Sequence, residues 1–227
     1  MLRLVAVLCA SASAPVLGAR ASFIRLSAAA DLLSGPGWQA LKAELDRLPV
    51  FTVANERGQP LEFDIDGRDK EAVFYADVTA AQTELAKAQA AFPDLGCDLI
   101  PVGLGSAYAL SCEGKAAILP ATEDLIAAGA PPAAMTMGQA MPFFACFDIG
   151  STSAEGKPIL PLFMSHADCK SAVAAAEQAD QEAGLEIVGL SLPGVVERLA
   201  PVAHEDQAFS FIPRASSSKY IQEYLQG

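Results

Sequence analysis

Histidine is scarce in this chain, with only His166 and His204 among 227 residues. None of the five cysteines stands in a C-x-x-C pair, and none is spaced with a histidine in the manner of a zinc site. The sequence therefore offers neither a metal centre nor a cofactor motif. Positive charge is also short: 15 Lys and Arg face 27 Asp and Glu, a net charge of −12. That balance excludes a nucleic-acid surface, which needs clustered Lys and Arg, and simple adsorption to anionic lipid. Aromatics make up 7% of the residues while alanine is abundant. The expected core is thus one of closely packed small side chains rather than a few aromatic anchors. No uninterrupted apolar run past the N-terminus reaches the ~20 residues that span a bilayer. The nearest, 116–147, is broken by Glu123, Asp124 and prolines. Such a protein is soluble and at most peripheral to a membrane.

What is present begins with an address. Arg3 gives a short basic start, "LVAVLCASASAPVLG" is the apolar run, and Ala19-Arg20-Ala21 supplies the small residues a signal peptidase reads. The reading is a signal peptide over 1–21, cut between Ala21 and Ser22. A serine- and alanine-rich leader or short transit segment follows over 22–36. Trp38, Leu41, Leu45 and Leu48 then fall on one face of an amphipathic helix over 37–47. Its stripe must dock on the rest of the chain or on a partner.

The remainder reads as one unit written twice. "LPVFTVANERG" at 48–58 answers "MPFFACFDIG" at 141–150, and "AVFYADVTAAQTEL" at 72–85 answers "PLFMSHADCKSAVA" at 161–174. "LIPVGLGSAYAL" at 99–110 answers "EIVGLSLPGVVERL" at 186–199, and "AILPATEDLI" at 117–126 answers "SFIPRASSSKYI" at 210–221. Four matched segments in one order imply two supersecondary units, each too small to bury its own apolar face. Val78, Ala81, Leu85, Ala88 and Phe92 step by three and four, as a helix against a sheet does; Cys169, Val173, Ala176 and Ala183 do the same. Asp77, or Thr79 with Gln82, caps the first helix, and Ser165 with Asp168 the second. Gly105-Ser106 and Pro193-Gly194 read as turns between strands. The expected fold class is α/β in the α+β sense: two tandem pseudo-symmetric repeats, 48–129 and 141–227, joined by a linker over 130–140. Each is a small mixed or antiparallel sheet with helices packed on it.

Patterns that carry chemistry fail in turn. Ser165, His166 and Asp168 are neighbours at a helix start, where side chains point apart, whereas a triad converges from separate segments. "GLSLP" at 189–193 lacks the last glycine of a nucleophile elbow and shows no helix directly after it. "GLGS" at 103–106 lacks the lysine of a phosphate loop, and a strand is expected to follow. "DIDGRDKE" lacks the acid spacing and the twelfth-position Glu of a calcium loop. Catalytic, cofactor and metal residues are therefore none. Cys97 and Cys112 flank an expected hairpin and are a candidate disulfide, the alternative being buried thiols. The strands carrying Val50, Phe51 and Val53, and Phe143, Phe144 and Phe147, are candidate contact regions for a bound chain, or else core.

"LPVFTVANERGQPL", "AVFYADVTAAQTELAKAQ", "DLIPVGLGSAYAL" and "KPILPLFMSHADCKSAV", in that order, resemble the Tic22-like family of plastid-envelope protein-import components. The resemblance spans residues 47 to about 225. It implies two similar halves about a pseudo-twofold axis, no enzymatic activity, and a chaperone-like role for precursor proteins between envelope membranes. The implied partners are precursor proteins and envelope translocon subunits. The implied location is the intermembrane space of a plastid envelope, here reached through a secretory signal. Two other functions stand beside it. One is a structural or assembly subunit of a plastid membrane complex, docked through the 37–47 helix. The other is a hydrolase using Ser165, His166 or Ser191.

Overall fold

The computed structural model describes residues 33–63, 70–152, 156, 158–180, 184–201 and 209–226. The signal cleavage point at Ala21 and Ser22, the leader up to 32, residues 64–69 of the acidic loop, Ala183 and His204 lie outside these residues.

The backbone is laid out as two five-stranded sheets. The first holds β1 (Pro49–Ala54), β2 (Glu62–Phe63), β3 (Glu71–Tyr75), β4 (Asp98–Gly103) and β5 (Ala116–Leu119). The second holds β6 (Pro142–Ala145), β7 (Ser151–Thr152), β8 (Pro158–Phe163), β9 (Val188–Ser191) and β10 (Phe209–Ile212). The connections match. β1 lies antiparallel to β3, with Phe51 opposite Tyr75, and β6 antiparallel to β8, with Phe144 opposite Phe163. β4 closes one side of β1 and β9 one side of β6, both antiparallel. β5 runs parallel to β3 and β10 parallel to β8. The sheets are mixed, and the parallel pairs need the long crossovers that the intervening helices supply.

The helices are α1 (Pro36–Leu45), α2 (Val78–Ala91), α3 (Leu104–Cys112), α4 (Thr122–Ala127), α5 (His166–Asp180), α6 (Leu192–Leu199) and α7 (Ala215–Tyr224). Two of them overturn the sequence reading. Gly105-Ser106 and Pro193-Gly194 are not turns between strands, because β4 runs directly into α3 and β9 directly into α6. Proline and glycine mark turns by composition, yet proline also suits the first turn of a helix, where its missing N–H costs nothing. Ser191 is the cap of α6, its Oγ accepting from the Gly194 N–H at 3.3 Å. The α3 start is capped from outside, by Asp46 Oδ1 accepting from the Ser106 N–H at 2.7 Å.

Each sheet is apolar on both faces. Phe51 and Val53 of β1 point outward to a cluster with Val78 and Ala81 of α2. Val50, one residue away, points inward. In the second sheet Phe144 and Cys146 meet Cys169 and Val173 of α5 on the outside, while Phe143 and Ala145 point inward. The inward residues of both sheets join Trp38, Leu41 and Leu45 of α1, Leu104 of α3 and Val195 of α6 in one central cluster. The α1 stripe is thus spent inside the molecule, between α3 and α6, and Trp38 rests on Tyr108 with ring centroids 6.0 Å apart. The expectation of a core without aromatic anchors is corrected here: Phe51, Phe74, Phe143 and Phe144 are among its largest fully buried side chains. Few aromatics need not mean peripheral ones, since each buries a large area.

The last helix of each half covers the other half. α4 packs on α5, and its final residue's neighbour, Ala128, reaches the outer cluster of the second sheet. α7 packs on α2 and β1, where Tyr220 meets Phe51 edge-on at 5.5 Å.

Close approach explains the glycines of "GLGS". A Cβ on Gly103 would lie 2.7 Å from the Asp46 Cα, and one on Gly105 would lie 2.7 Å from the Lys42 carbonyl oxygen. Both obstacles are backbone of α1 or its last turn and cannot swing aside. Gly105→Ala is expected to cost about 1–3 kcal/mol, read as a lower urea midpoint, because overpacking must push α1 off α3. An unchanged midpoint would show that α1 is not held at this contact.

Candidate functional site

The outer face of the second half carries a groove of about 360 Å³ between α5 and the chain entering β9. Its floor is Val173 and Ala174 from α5 with Leu185 and Ile187 from the incoming segment. His166, Lys170 and, about two turns beyond it on the same face, Glu177 stand along α5. Glu177 fixes the opposite wall: its Oε1 accepts from the N–H groups of Gly184 at 2.9 Å and Leu185 at 3.3 Å. The His166 ring packs edge-on against Phe144, with centroids 5.2 Å apart. A groove of this kind holds an apolar side chain while charged groups meet the chain on either side of it.

Behind His166 three helix ends from both halves meet. The His166 N–H, at the start of α5, donates to Asp124 Oδ1 of α4 at 2.9 Å. Asp124 Oδ2 accepts from Arg214 Nη1, and Arg214 Nη2 also donates to Glu123 at 2.8 Å. Asp124 is 2% exposed and Arg214 7%. Burial pushes the Asp124 carboxyl above its usual value, against the opposing pull of the His166 N–H and Arg214. Burial opposes the charged form of Arg214 too, but Asp124, Glu123 and Asp77 more than offset it, and the guanidinium stays charged. Asp168 turns away from Ser165 to accept from the Ala215 N–H, at the start of α7, at 2.9 Å. Ser165 Oγ accepts from the Asp168 N–H at 3.3 Å. Ser165, His166 and Asp168 therefore serve helix ends and packing. They do not form a relay.

The sequence candidates are placed as follows. Val50, Phe51, Val53, Phe143 and Phe144 are at most 2% exposed, and Phe147 is half-buried against the central cluster. These strands are interior, each flanked on both sides, so the reading of them as contact regions is corrected to core. Cys97 and Cys112 are free thiols. The hairpin they were to flank is a strand followed by a helix. Cys97 packs in the outer cluster of the first half, whereas α3, which ends at Cys112, packs on the inner one. The "GLSLP" serine does stand between a strand and a helix, contrary to the expectation, but Ser191 is occupied as the α6 cap. Sequence reasoning did not single out Lys170, Glu177, Leu185, Ile187 or Arg214. Setting the two halves side by side marks some of them, since Glu177 stands where the first half has Gln89. Among the described residues, no group of three His, Cys, Asp or Glu converges as a metal site. No described helix is long and apolar enough to cross a membrane.

Neither the protein-family models nor the curated proteins contain a match to this chain. Solved structures do. The chain is similar to Tic22 from Plasmodium falciparum, with a TM-score of 0.66 at 18% identity, over 82% of this chain and 98% of that one. It is also similar to Anabaena Tic22, described as a protein-transport protein, with a TM-score of 0.63 at 19% identity, over 82% and 96%. The chain has a Tic22-like, mixed α+β fold.

Two outcomes follow from these contacts. Asp124→Ala is expected to lower stability by about 3–5 kcal/mol, because it strands Arg214 in a buried site. Adding Arg214→Met should restore part of that loss, and strictly additive urea midpoints would show that the two do not act as a pair. The second outcome concerns thiols. Burial, with Cys146 close by, pushes Cys169 up to about 11. Cys146 and Cys169 should therefore react with an aromatic disulfide reagent only after unfolding, whereas fast labelling of either in the native protein would contradict the packing.

Proposed function

We propose that this chain is a non-catalytic protein-import factor that binds precursor proteins in transit, in a chaperone-like manner, in a plastid envelope setting. The observation that carries the reading is the Tic22-like fold over 82% of the chain, shared with a protein described as acting in protein transport. The chemistry of the surface supports it. An apolar groove flanked by charge lies on a molecule of net charge −12, and basic targeting segments are drawn to such a surface at range. A hydrolase finds no support in the site, since Ser165, His166 and Asp168 each engage a different partner. A docking role for α1 loses its motivation, because Trp38, Leu41 and Leu45 are buried inside the molecule.

The intermembrane space, reached through the N-terminal address, is the compartment this role requires. Immobilised protein is expected to retain radiolabelled precursors from a translation mixture, and to release them as salt is raised. Retention no better than by an unrelated acidic protein of equal charge would overturn the reading.

A further inference from the structure

Corresponding edges of the two sheets are finished differently. In the first half the Leu104 N–H donates to the Leu48 carbonyl at 2.9 Å. Strand alternation then directs Val102 and Ile100 toward β1 and leaves Pro101, Leu99 and Cys97 facing outward. At each of these three positions one edge group is withdrawn. Pro101 has no N–H, the Leu99 N–H is taken by its neighbour Asp98 at 2.7 Å, and the Cys97 carbonyl accepts from Gln89 Nε2 at 3.0 Å. Proline and self-satisfied groups are how natural edges refuse a further strand.

The second half has the same register. The Leu192 N–H donates to the Met141 carbonyl at 2.8 Å, so Leu190 and Val188 face β6, and Gly189 and Ile187 face outward. Gly189, opposite Phe144, holds the place of Pro101, opposite Phe51. Gly189 is exposed and keeps its N–H. Among the described residues nothing accepts from the Gly189 or Ile187 N–H; the corresponding Leu99 N–H is satisfied. This open edge adjoins the groove, because Ile187 lines both.

We infer that the β9 edge takes up an extended polypeptide segment as an added strand, pairing with the backbone of Ile187 and Gly189 and placing one apolar side chain in the groove. The inference rests on the transport reading and names its contact site. Backbone pairing supplies affinity for many sequences, and the groove selects an apolar residue. Charge selects the neighbours of that residue. In the groove Glu177 stands against Lys170, but Glu186 is exposed and, among the described residues, unopposed beside the edge, so Lys or Arg on the incoming segment is favoured there. A second copy of this chain is the disfavoured occupant, since it would set Glu186 and a net charge of −12 against themselves.

The test uses a fluorescein-labelled peptide of alternating valine and lysine, followed by anisotropy with the full chain. A Cβ at 189 finds ordinary contact, its nearest neighbours in Ala128 being 3.7 Å away. Gly189→Ala should therefore bind like the wild type. Gly189→Pro, which copies Pro101, should weaken binding about tenfold or more by removing one outward N–H. Thermal unfolding of both variants checks that they fold, and slowed amide exchange at Ile187 and Gly189 on adding peptide reads the contact without any substitution. Equal binding by Gly189→Pro, or exchange unchanged at both amides, overturns the inference. Equal binding of a valine–glutamate peptide removes its charge component. A wild-type dimer that Gly189→Pro dissolves, in the absence of peptide, assigns the edge to self-pairing instead. If the wild type and Gly189→Pro retain precursors equally, the site is wrong and the transport role stands. If neither retains them, the transport role fails, and peptide anisotropy alone decides whether the edge accepts a strand.

Discussion

A sheet that is apolar on one face can be covered by its own crossover helix; a sheet apolar on both faces needs a second cover. Both sheets here are of the second kind, and the inner face of each lies in a single cluster shared with the other and with α1, α3 and α6. Neither half could leave that cluster without exposing Val50 and Phe74, or Phe143 and Leu162. At roughly 25 cal/mol per Å² of apolar surface, such exposure outweighs any single polar contact in the molecule. The shared core therefore fixes where everything else sits: α2 and α5 are forced outward, and the groove forms on the face that α5 leaves.

Polar contacts then set the alignment. Asp124, Arg214, Ser165 and Asp168 gather the starts of α4, α5 and α7 at one place. A buried ion pair contributes little net stability against an apolar alternative, but it tolerates few geometries. The glycines at 103 and 105 act likewise through sterics, admitting α1 at one depth only. Alignment by steric fit and by charge is what brings the segment 184–187 beside Val173 and opens a groove there.

Much of this was legible in the residues. Matched short apolar segments marked β1, β3, β6 and β8, and the three–four spacing of Val78, Ala81 and Leu85 marked α2. The order of apolar segments anticipated a mixed α+β fold. What was lost was lost for physical reasons. Gly105-Ser106 and Pro193-Gly194 have turn composition but stand at helix starts, where capping from Asp46 and Ser191 decides the outcome. The burial of Phe51 and Phe144 could not be told from strand pattern, because a contact strand and a doubly covered strand are both apolar. Arg214 is one basic residue in "IPRASS", and nothing local announces that its partner lies 90 positions earlier. The finish of a strand edge shows only when the register is known, so Gly189 and Pro101 become comparable in the structure and not before.

The exchange of end helices also bears on the order in which this chain can become a protein. Phe51 lies in β1, and Tyr220, which closes over it, lies in α7, the last of the described helices. During synthesis α2 can cover most of that outer face as soon as it forms, but Phe51 stays open on the side of Tyr220 until α7 has been made. The first half thus gains its full outer cover only once the second half exists, so the two halves finish folding together.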